Sequence, residues 1–555
     1  MFRKHNIAPL LMMAALLAQL GAFAQADDPQ LKKEVHVVRP YDPTIPDAVK
    51  INLQPQIADT VGAKPTFAYS IAPRPLLSHF EPRPIAAAKM VAEPLPELKR
   101  WYVRLGFDSH ISPLLELYHS SPRSKQWQYG GWARHRSTFG GLTLQNDERV
   151  DAKSTQSDVA LFGKHIRNSK VLSANAFYRN RGYSYYGYNY ADTLAAATAD
   201  RQSLNSFGVS AGFSTVDTDS STLRYSAQLG FEHLADAFGH GENKLSVVGG
   251  LDKYLSREQF GGDVAFVRYG RGDATAANTI FSLSPWINLL GRQWRVQVGF
   301  TFTLDANRGK SYRHFYPKAH LSYNIVAGYV IPYIEVDGQL DPAAYSHLLA
   351  ENPWVQPGLD VWNASHKMVL RGGLKGKFSA RVAYNVLAAY SIVDSMHFYV
   401  NQSVDASNPQ ANRFGVVYDN VRQTKVVGEL TIAPMSRLDI LLHGELLRYA
   451  MRELEHPWHK PGYRAFATVR YSLRDKVVAN LQLDLQGKRP VASPSDGQPL
   501  MLEGNVCANL GLEYIYNRRA SAFLNITNLT AHRNHYWYLY PTYRLGVQAG
   551  VSYTF

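Results

Sequence analysis

The sequence predicts an all-β protein: a large antiparallel transmembrane β-barrel of about 22 strands that follows an extended Pro-rich N-terminal segment. Two regularities support this fold class. From Trp101 onward, apolar and polar side chains alternate in runs of about ten residues or longer, a length that crosses a bilayer at a tilt. The connections between the runs are alternately short and long, which places the long loops together at one end of a barrel. Beyond the N-terminus, no apolar stretch approaches the roughly 18 residues that a membrane helix needs.

Residues 1–26 are predicted to be a cleaved secretory signal peptide. Arg3 and Lys4 supply the positively charged start, residues 8–21 form the apolar run, and a small-x-small cleavage site lies within 22–26. The apolar run is too short to span a membrane, and no cysteine follows it for lipid attachment. We therefore expect an exported protein that is not a lipoprotein.

Residues 27–99 differ in composition from the rest of the chain. Prolines recur from Pro40 to Pro96 with little alternation of polarity between them. Because proline lacks a backbone donor and fixes its φ angle, this segment is expected to run extended, in the periplasm or inside the barrel. Residues 34–38 are the one short run in it that is able to pair as a strand, and the alternative is a linker in which this run has no role.

Residues 100–555 are predicted to form the barrel, and the run from Arg292 to Asp305 illustrates the pattern. Its even-numbered positions from Trp294 to Leu304 are apolar, with polar residues or glycine between them. Side chains that alternate with a period of two lie on opposite faces of a β-strand. Strands average about five or six residues in soluble proteins, so longer runs favour a membrane barrel. Further runs of this kind are 382–392, 438–446, 477–485 and 520–526.

The last predicted strand, 543–555, is apolar at every odd position. It ends on the aromatic residues Tyr553 and Phe555. This ending resembles the terminal signal by which outer-membrane barrels are recognised for assembly, and the resemblance implies the barrel assembly machinery as a partner.

The predicted connections fall into a short and a long class. Short connections are predicted at 121–125, 167–170, 256–258, 290–292, 377–379, 434–436, 473–475 and 517–519. Long connections are predicted at 184–202, 234–242, 339–365, 400–412, 451–462, 487–502 and 530–541. In outer-membrane barrels the tight turns are periplasmic and the long loops external, and an even number of strands returns the C-terminus to the periplasm.

Composition and motifs exclude several classes of function. The formal charge is +14, but the basic residues are scattered and no nucleic-acid-binding module is present, so anionic lipid headgroups or acidic solutes fit better than nucleic acid. The single cysteine, Cys507, excludes an intramolecular disulfide and a cysteine-based zinc site. The sequence contains no P-loop, Rossmann glycine pattern, HExxH motif or calcium loop. We expect neither enzymatic activity nor a cofactor.

Two histidine pairs lie in predicted external loops, His456 with His459 and His532 with His535. Closely spaced imidazoles are able to bind a metal ion. Histidines in loops are more often solvated, however, so no metal site is predicted.

Three stretches near the C-terminus resemble the closing hairpin of TonB-dependent receptors: 521–530, 536–541 and 544–555. The resemblance is strongest over 290–555 and extends back to Trp101. It implies an outer-membrane barrel of about 22 strands that imports large or scarce nutrients. Family members carry a globular plug before the barrel, whereas here the Pro-rich segment precedes it. The chain therefore looks like a plug-less relative.

The resemblance also implies a role for the N-terminal segment. Glu34, Val35, Val37 and Val38 are similar to a TonB box, the short segment that pairs as a strand with the periplasmic energy coupler. Addition of a strand to an exposed sheet edge is a general mode of peptide recognition. A TonB-like energy coupler is thus an expected partner.

One long external loop carries two tryptophans, Trp354 and Trp362, which are candidate binding residues. Exposed aromatic side chains suit sugar stacking or the docking of a partner protein. The alternative is that both fold inward and pack the loop.

Charged residues are also predicted on the lumen face of the barrel strands, among them Arg295, Glu445, Lys488 and Arg544. Such mixed charge is consistent with a wet passage and equally with a surface that holds the N-terminal segment.

The function predicted from the sequence is solute uptake across the outer membrane of a Gram-negative bacterium, with outer-membrane lipids around the barrel. The alternative is a structural or assembly scaffold for surface lipoproteins or for an outer-membrane complex.

Overall fold

The computed structural model describes residues 98–144, 147–187, 200–216, 222–272, 277–402 and 411–555. These residues form an antiparallel barrel of 22 strands, which confirms the predicted fold class. The barrel is closed because its last strand pairs with its first, with Val551 opposite Leu105. The predicted signal peptide and the TonB-box-like residues Glu34, Val35, Val37 and Val38 lie outside the described residues.

The strands are numbered in chain order. Their bounds are β1 Trp101–Asp108, β2 Ser112–Ser120, β3 Trp127–Thr138, β4 Gly141–Thr143, β5 Arg149–Asp151, β6 Ser154–Arg167, β7 Lys170–Ser184, β8 Arg201–Thr215, β9 Arg224–Ala235, β10 Gly241–Leu255, β11 Glu258–Arg271, β12 Asn278–Leu290, β13 Trp294–Asn307 and β14 Lys310–Tyr323. They continue with β15 Ile331–Asp341, β16 Ala364–Ser379, β17 Val382–Asn401, β18 Phe414–Met435, β19 Leu438–Met451, β20 Tyr463–Leu473, β21 Val477–Gln486, β22 Arg489–Ala492, β23 Pro499–Leu502, β24 Asn505–Ile515, β25 Ala520–Thr527, β26 His535–Trp537, β27 Tyr540–Pro541 and β28 Gly546–Thr554.

Six of these strands lie outside the barrel and form three two-stranded sheets: β4 with β5, β22 with β23 and β26 with β27. A short helix, α1 (Tyr345–Glu351), lies between β15 and β16. Within the described part of the chain, no helix has the length and apolar composition needed to cross a membrane.

Alternation of polarity separates the outer surface of the barrel from its lumen. In β13, Val298 and Leu304 are 50% and 40% exposed on the outer surface, whereas Thr303 and Asp305 on the opposite face are 1% and 5% exposed. The exposed apolar side chains are explained by lipid contact, because an outward apolar band is a defining feature of membrane barrels. The predicted strand pattern is therefore present in the folded chain.

Aromatic residues are concentrated on the outer surface near both ends of the barrel. At the end that contains the C-terminus, the exposed aromatics are Trp127, Tyr129, Trp294, Tyr323, Tyr471, Tyr514, Tyr516, Tyr553 and Phe555. Towards the opposite end, they are Phe107, Tyr178, Phe207, Phe231, Phe281, Phe315, Tyr390 and Tyr463. Two aromatic girdles of this kind mark the two membrane interfaces of a transmembrane barrel.

The two ends of the barrel have different connections, as the sequence predicts. At the short-turn end, which contains the C-terminus, the tightest connections are 168–169, 256–257, 380–381 and 436–437. At the long-loop end, the longest are 185–200, 342–363, 487–504 and 528–545. The hairpin connections 109–111 and 308–309 are short although they lie at the long-loop end.

Two details of the sequence prediction are wrong. Arg295 and Glu445 belong to the barrel strands β13 and β19, but Lys488 and Arg544 lie in connections at the long-loop end. The last strand begins at Gly546, not at Tyr543. The Tyr543 hydroxyl lies 2.7 Å and 2.9 Å from two backbone carbonyl oxygens of the β3–β6 connection, and these contacts hold the residue in the loop layer.

Candidate functional site

At the long-loop end, several connections pack into one layer, which we call the cap: residues 342–363, 411–413, 452–462, 487–504 and 528–545. Its interior is rich in aromatic and aliphatic side chains, so burial of apolar surface stabilises it. The central cluster combines cap residues with the ends of barrel strands: Tyr183, Tyr185, Leu204, Leu234, Tyr345, Leu348, Leu349, Val355, Tyr399, Phe414 and Tyr540.

The cap reaches across the lumen. Strands β7 and β17 stand nearly opposite each other in the order of the 22 strands, yet the ends of both contribute to the central cluster. The Asn412 side-chain amide, which follows β17, donates to the Tyr185 carbonyl oxygen, which follows β7, at 2.9 Å. The Tyr540 hydroxyl donates to the Asn412 carbonyl oxygen at 2.6 Å. These bonds join connections from opposite walls.

Trp354 lies at the centre of the cap. Its ring stacks on the Tyr540 ring with centroids 3.9 Å apart and meets the Tyr186 ring edge-on at 5.8 Å. Its indole N–H donates to the Ser184 carbonyl oxygen at 3.2 Å. The side chain therefore holds the α1 connection against the end of β7.

Glu242 of β10 anchors the first turn of α1. Its carboxylate accepts hydrogen bonds from the Tyr345 backbone N–H at 2.7 Å and from the Ser346 hydroxyl at 2.6 Å. The N-cap residue Ala344 makes no side-chain capping bond, so the barrel wall supplies the acceptor that the helix itself lacks.

Glu351, the last residue of α1, anchors the other end of the helix. It contacts His397 Nε2 at 2.7 Å and accepts hydrogen bonds from Lys460 Nζ at 2.9 Å and the Tyr399 hydroxyl at 3.1 Å. Partial burial alone would raise the pKa of Glu351, but the His397 hydrogen bond and the Lys460 charge hold that pKa well below its usual range. The carboxylate is therefore ionised and joins three elements.

A buried arginine and two histidines support the cap from the side of β22. Arg489 is 2% exposed and donates to the backbone carbonyl oxygens of His535 and Tyr536. His459 lies 2.8 Å from the Tyr399 carbonyl oxygen through Nδ1. Burial, with a smaller contribution from the charge of Arg489, lowers the pKa of His459 to about 3 and the pKa of His535 to about 4. Both imidazoles are therefore neutral near neutral pH.

A cavity of about 750 Å³ lies between α1 and the wall formed by β6 to β10. Its polar lining includes one acid, Glu232, and four cationic side chains: Lys153, Arg179, Arg181 and Lys244. Aromatic side chains form much of the rest: Tyr183, Tyr186, Trp354 and Tyr543. The buried hydroxyl of Tyr183 has no hydrogen-bond partner within the described part of the chain.

The acids near this cavity do not neutralise all of its cations. Arg181 pairs with Asp158 at 2.6 Å and Lys153 with Asp151 at 2.6 Å, whereas Lys244 and Glu232 are 4.0 Å apart. The guanidinium of Arg179 lies 4.2 Å from the centroid of the Phe177 ring, and no ion pair of Arg179 occurs among the described residues. The cavity therefore suits a solute that carries negative charge and flat or aromatic groups.

The two predicted binding tryptophans have different surroundings. Trp354 is packed inside the cap, whereas Trp362 is 48% exposed. The Trp362 ring stacks on Tyr418 at 5.7 Å, and the Arg308 guanidinium lies 5.2 Å from its centroid. Trp354 therefore folds inward and packs the loop, whereas Trp362 is an exposed aromatic residue. A binding role for either tryptophan remains a prediction.

The two residues of the predicted assembly signal lie on the outer surface at the short-turn end. Tyr553 is 45% exposed and Phe555 is 53% exposed. The Phe555 ring stacks on Trp101 of the first strand at 6.3 Å. This position is accessible from the membrane interface, and recognition by the assembly machinery remains a prediction.

The histidine pairs do not form metal clusters in the part of the chain that the structure describes. No group of three or more His, Cys, Asp or Glu side chains converges there. His459 and His535 are instead packed in the cap, and His532 contacts the side chain of Asn534 at 3.0 Å.

The cationic cavity is the candidate site that sequence reasoning did not identify. Its residues come from five barrel strands and from α1, so no local motif connects them. A partial signal exists: Arg179 and Arg181 alternate with the outward-facing Tyr178 and so belong to the lumen face.

No protein-family model and no curated protein matches this sequence. Solved structures match its fold. The ferric-catecholate import receptor Fiu of E. coli K12 is 11% identical, with 83% of this chain and 82% of that chain covered and a TM-score of 0.60. The siderophore receptor PirA of Acinetobacter baumannii is 10% identical, with 83% and 81% covered and a TM-score of 0.62. The FrpB iron transporter of Neisseria meningitidis is 8% identical, with 83% and 82% covered and a TM-score of 0.63. At these identities the likeness establishes the barrel fold.

Proposed function

We propose that this chain is an outer-membrane β-barrel of the TonB-dependent-receptor type, and that it takes up a solute that first binds in the cavity beneath the cap. The observation that carries the proposal is the cavity of about 750 Å³ between α1 and the barrel wall. Ligand sites are concave and combine apolar lining with a few convergent polar groups. The proteins that share the fold include a siderophore receptor and an iron transporter, which favours uptake over catalysis.

The location in the outer membrane is supported by the apolar outer surface and the two aromatic girdles. The long-loop end, with the cap, faces the exterior and the short-turn end faces the periplasm. A signal peptide at 1–26 delivers the chain for export, and Tyr553 and Phe555 present it to the assembly machinery.

The N-terminal segment completes the proposal. Residues 27–99 act as an extended segment in place of a globular plug, because their prolines disfavour a packed sheet. Within this segment, Glu34, Val35, Val37 and Val38 pair with a TonB-like energy coupler in the periplasm. The bound solute passes inward slowly without the coupler, and energy from that contact accelerates its passage.

Liposome flux tests the proposal. Full-length protein is reconstituted into liposomes, and uptake of a small trianionic fluorophore is compared with uptake of a cationic one. We expect faster entry of the anionic probe, and faster entry still when residues 27–99 are deleted. Replacing Arg179 and Lys244 by Gln should remove the preference for the anionic probe, whereas Lys488→Gln, at an exposed cap position, should leave it unchanged.

Silent liposomes for both the full chain and the deletion variant would contradict uptake. Stable co-purification of a surface lipoprotein together with silent liposomes would support the scaffold function instead.

A further inference from the structure

The arginines of the barrel fall into two groups that differ in their partners. On the lumen face, two arginines form short ion pairs with carboxylates: Arg181 with Asp158 at 2.6 Å and Arg371 with Asp337 at 2.6 Å. These two lumen charges are thus compensated within the protein. The outer face contains arginines for which the described residues supply no such partner.

Arg422 of β18 and Arg448 of β19 are two such arginines on adjacent strands. Arg422 lies four residues before Val426, which is 41% exposed on the outer surface, and Arg448 lies two residues after Leu446, which is 53% exposed. Because side chains two or four residues apart on a strand share a face, both guanidiniums point away from the lumen. Both residues are exposed, and within the described part of the chain neither has an ion pair or a side-chain hydrogen bond.

The strand register makes these two arginines neighbours. Arg422 is paired with Ala450, and Arg448 is paired with Thr424. They are therefore diagonal neighbours on one face, with backbones about 7–8 Å apart. Long arginine side chains reach over such a distance, and two like charges this close repel each other unless an anion lies between them.

Their position matches the depth of lipid headgroups. Along β19, the outward residues Leu438, Ile440, Leu442 and Leu446 are apolar, and Arg448 follows directly after them towards the long-loop end. Tyr390 of β17 is paired with Thr424 and belongs to the outer aromatic girdle, so the arginines lie beside that girdle. A cation on the lipid-facing surface costs about 2–4 kcal/mol at the bilayer midplane and little near the interface.

We propose that Arg422 and Arg448 together bind the phosphate of an anionic lipid headgroup in the outer leaflet. Guanidinium groups match phosphate geometry and form paired, charge-assisted hydrogen bonds with it. The outward residues paired with them, namely Ile392, Thr424 and Ala450, carry no charge that would compete. This site rests on the membrane location in the proposed function and is independent of solute transport.

Native mass spectrometry of the full-length chain tests the site. Wild type and the double variant Arg422→Gln/Arg448→Gln are released from micelles that contain diphosphoryl lipid A or phosphatidylcholine. We expect wild type to retain one lipid A, and the double variant to retain about tenfold less, as for loss of one charge-assisted contact. Arg422→Lys/Arg448→Lys should retain an intermediate amount because it keeps the charges. The matched control, Arg268→Gln, replaces an isolated outward arginine opposite Leu245 and should bind as wild type does.

Three results would overturn the site: equal retention of phosphatidylcholine, equal retention of lipid A by the double variant, or displacement of lipid A by millimolar sodium phosphate. Migration as a folded barrel in unheated gels establishes that each variant is folded. Because no flux is measured, failure of transport leaves the result of this experiment unaffected.

Discussion

The two ends of this barrel are stabilised in different ways. At the short-turn end, neighbouring strands are joined by tight turns such as 168–169, in which Asn168 adopts a left-handed backbone with φ 52°. At the long-loop end, the cap is stabilised by aromatic packing between residues far apart in sequence, such as Trp354 and Tyr540. The short-turn end is therefore specified locally and the cap by the whole barrel, which predicts that the cap can be opened while the barrel stays intact.

Removal of the central cap side chain should have the largest effect. We expect Trp354→Ala to lower the free energy of cap opening by about 3 kcal/mol, because it leaves a cavity in an aromatic cluster. Hydrogen exchange of residues 342–363 measures this as a loss of protection of about a hundredfold. Trp362→Ala is the matched control, since that ring is 48% exposed and should change protection little. Equal effects of the two variants would contradict a cap that is packed around Trp354.

Lowering the pH should have the second-largest effect on cap opening. His459 is 5% exposed, and burial lowers its pKa from 6.5 to about 3. Because the unfolded imidazole binds a proton more tightly than the folded one, the stability it contributes is complete above about pH 6.5 and is lost as the pH falls towards 3. At pH 4 the loss from His459 is about 3 kcal/mol.

Limited proteolysis between pH 7 and pH 4 measures this opening. Cleavage in 452–462 should rise as the pH falls, and His459→Gln should reduce the pH dependence. A cap that is equally resistant at both pH values would show that the buried histidines do not control it.

Loss of the Glu351 carboxylate should have a smaller effect. Glu351→Gln removes the charge that Lys460 and His397 contact, and we expect the cap to lose about 1 kcal/mol because these groups are partly exposed. Glu503→Gln is the control, since its ion pair with Lys488 is more exposed and should contribute almost nothing. Hydrogen exchange of α1 distinguishes the two variants. Equal protection of α1 in both would show that Glu351 does not anchor the helix.

A turn substitution at the other end should have the smallest effect. Asn168→Ala places an alanine at φ 52° and is expected to destabilise the barrel by about 1 kcal/mol, whereas Asn168→Gly should be tolerated. The gel-shift temperature of the folded barrel measures this change. Cap protection should be unchanged in both variants, and coupling of this turn to the cap would contradict independent ends.

The sequence predicts the locally specified parts of the barrel better than it predicts the cap. The strands and the two classes of connection were predictable because each depends on alternation and turn residues within a few positions. The inward position of Trp354 was not predictable, because its partners Ser184 and Tyr540 lie far along the chain. Lys488 was misplaced for a related reason: local alternation continues past the end of β21 at Gln486, where the chain leaves the barrel.

Labelling of intact cells tests the central claim, a membrane-spanning barrel with its capped end outside, most directly. In a Cys507→Ser background, a cysteine is introduced at Asp496 in the β22–β23 hairpin or at Lys125 in the β2–β3 turn, both of which are exposed. A membrane-impermeant maleimide should label Asp496→Cys in intact cells and Lys125→Cys only after the outer membrane is opened. Labelling of both sites in intact cells, or of Lys125→Cys alone, would contradict this topology.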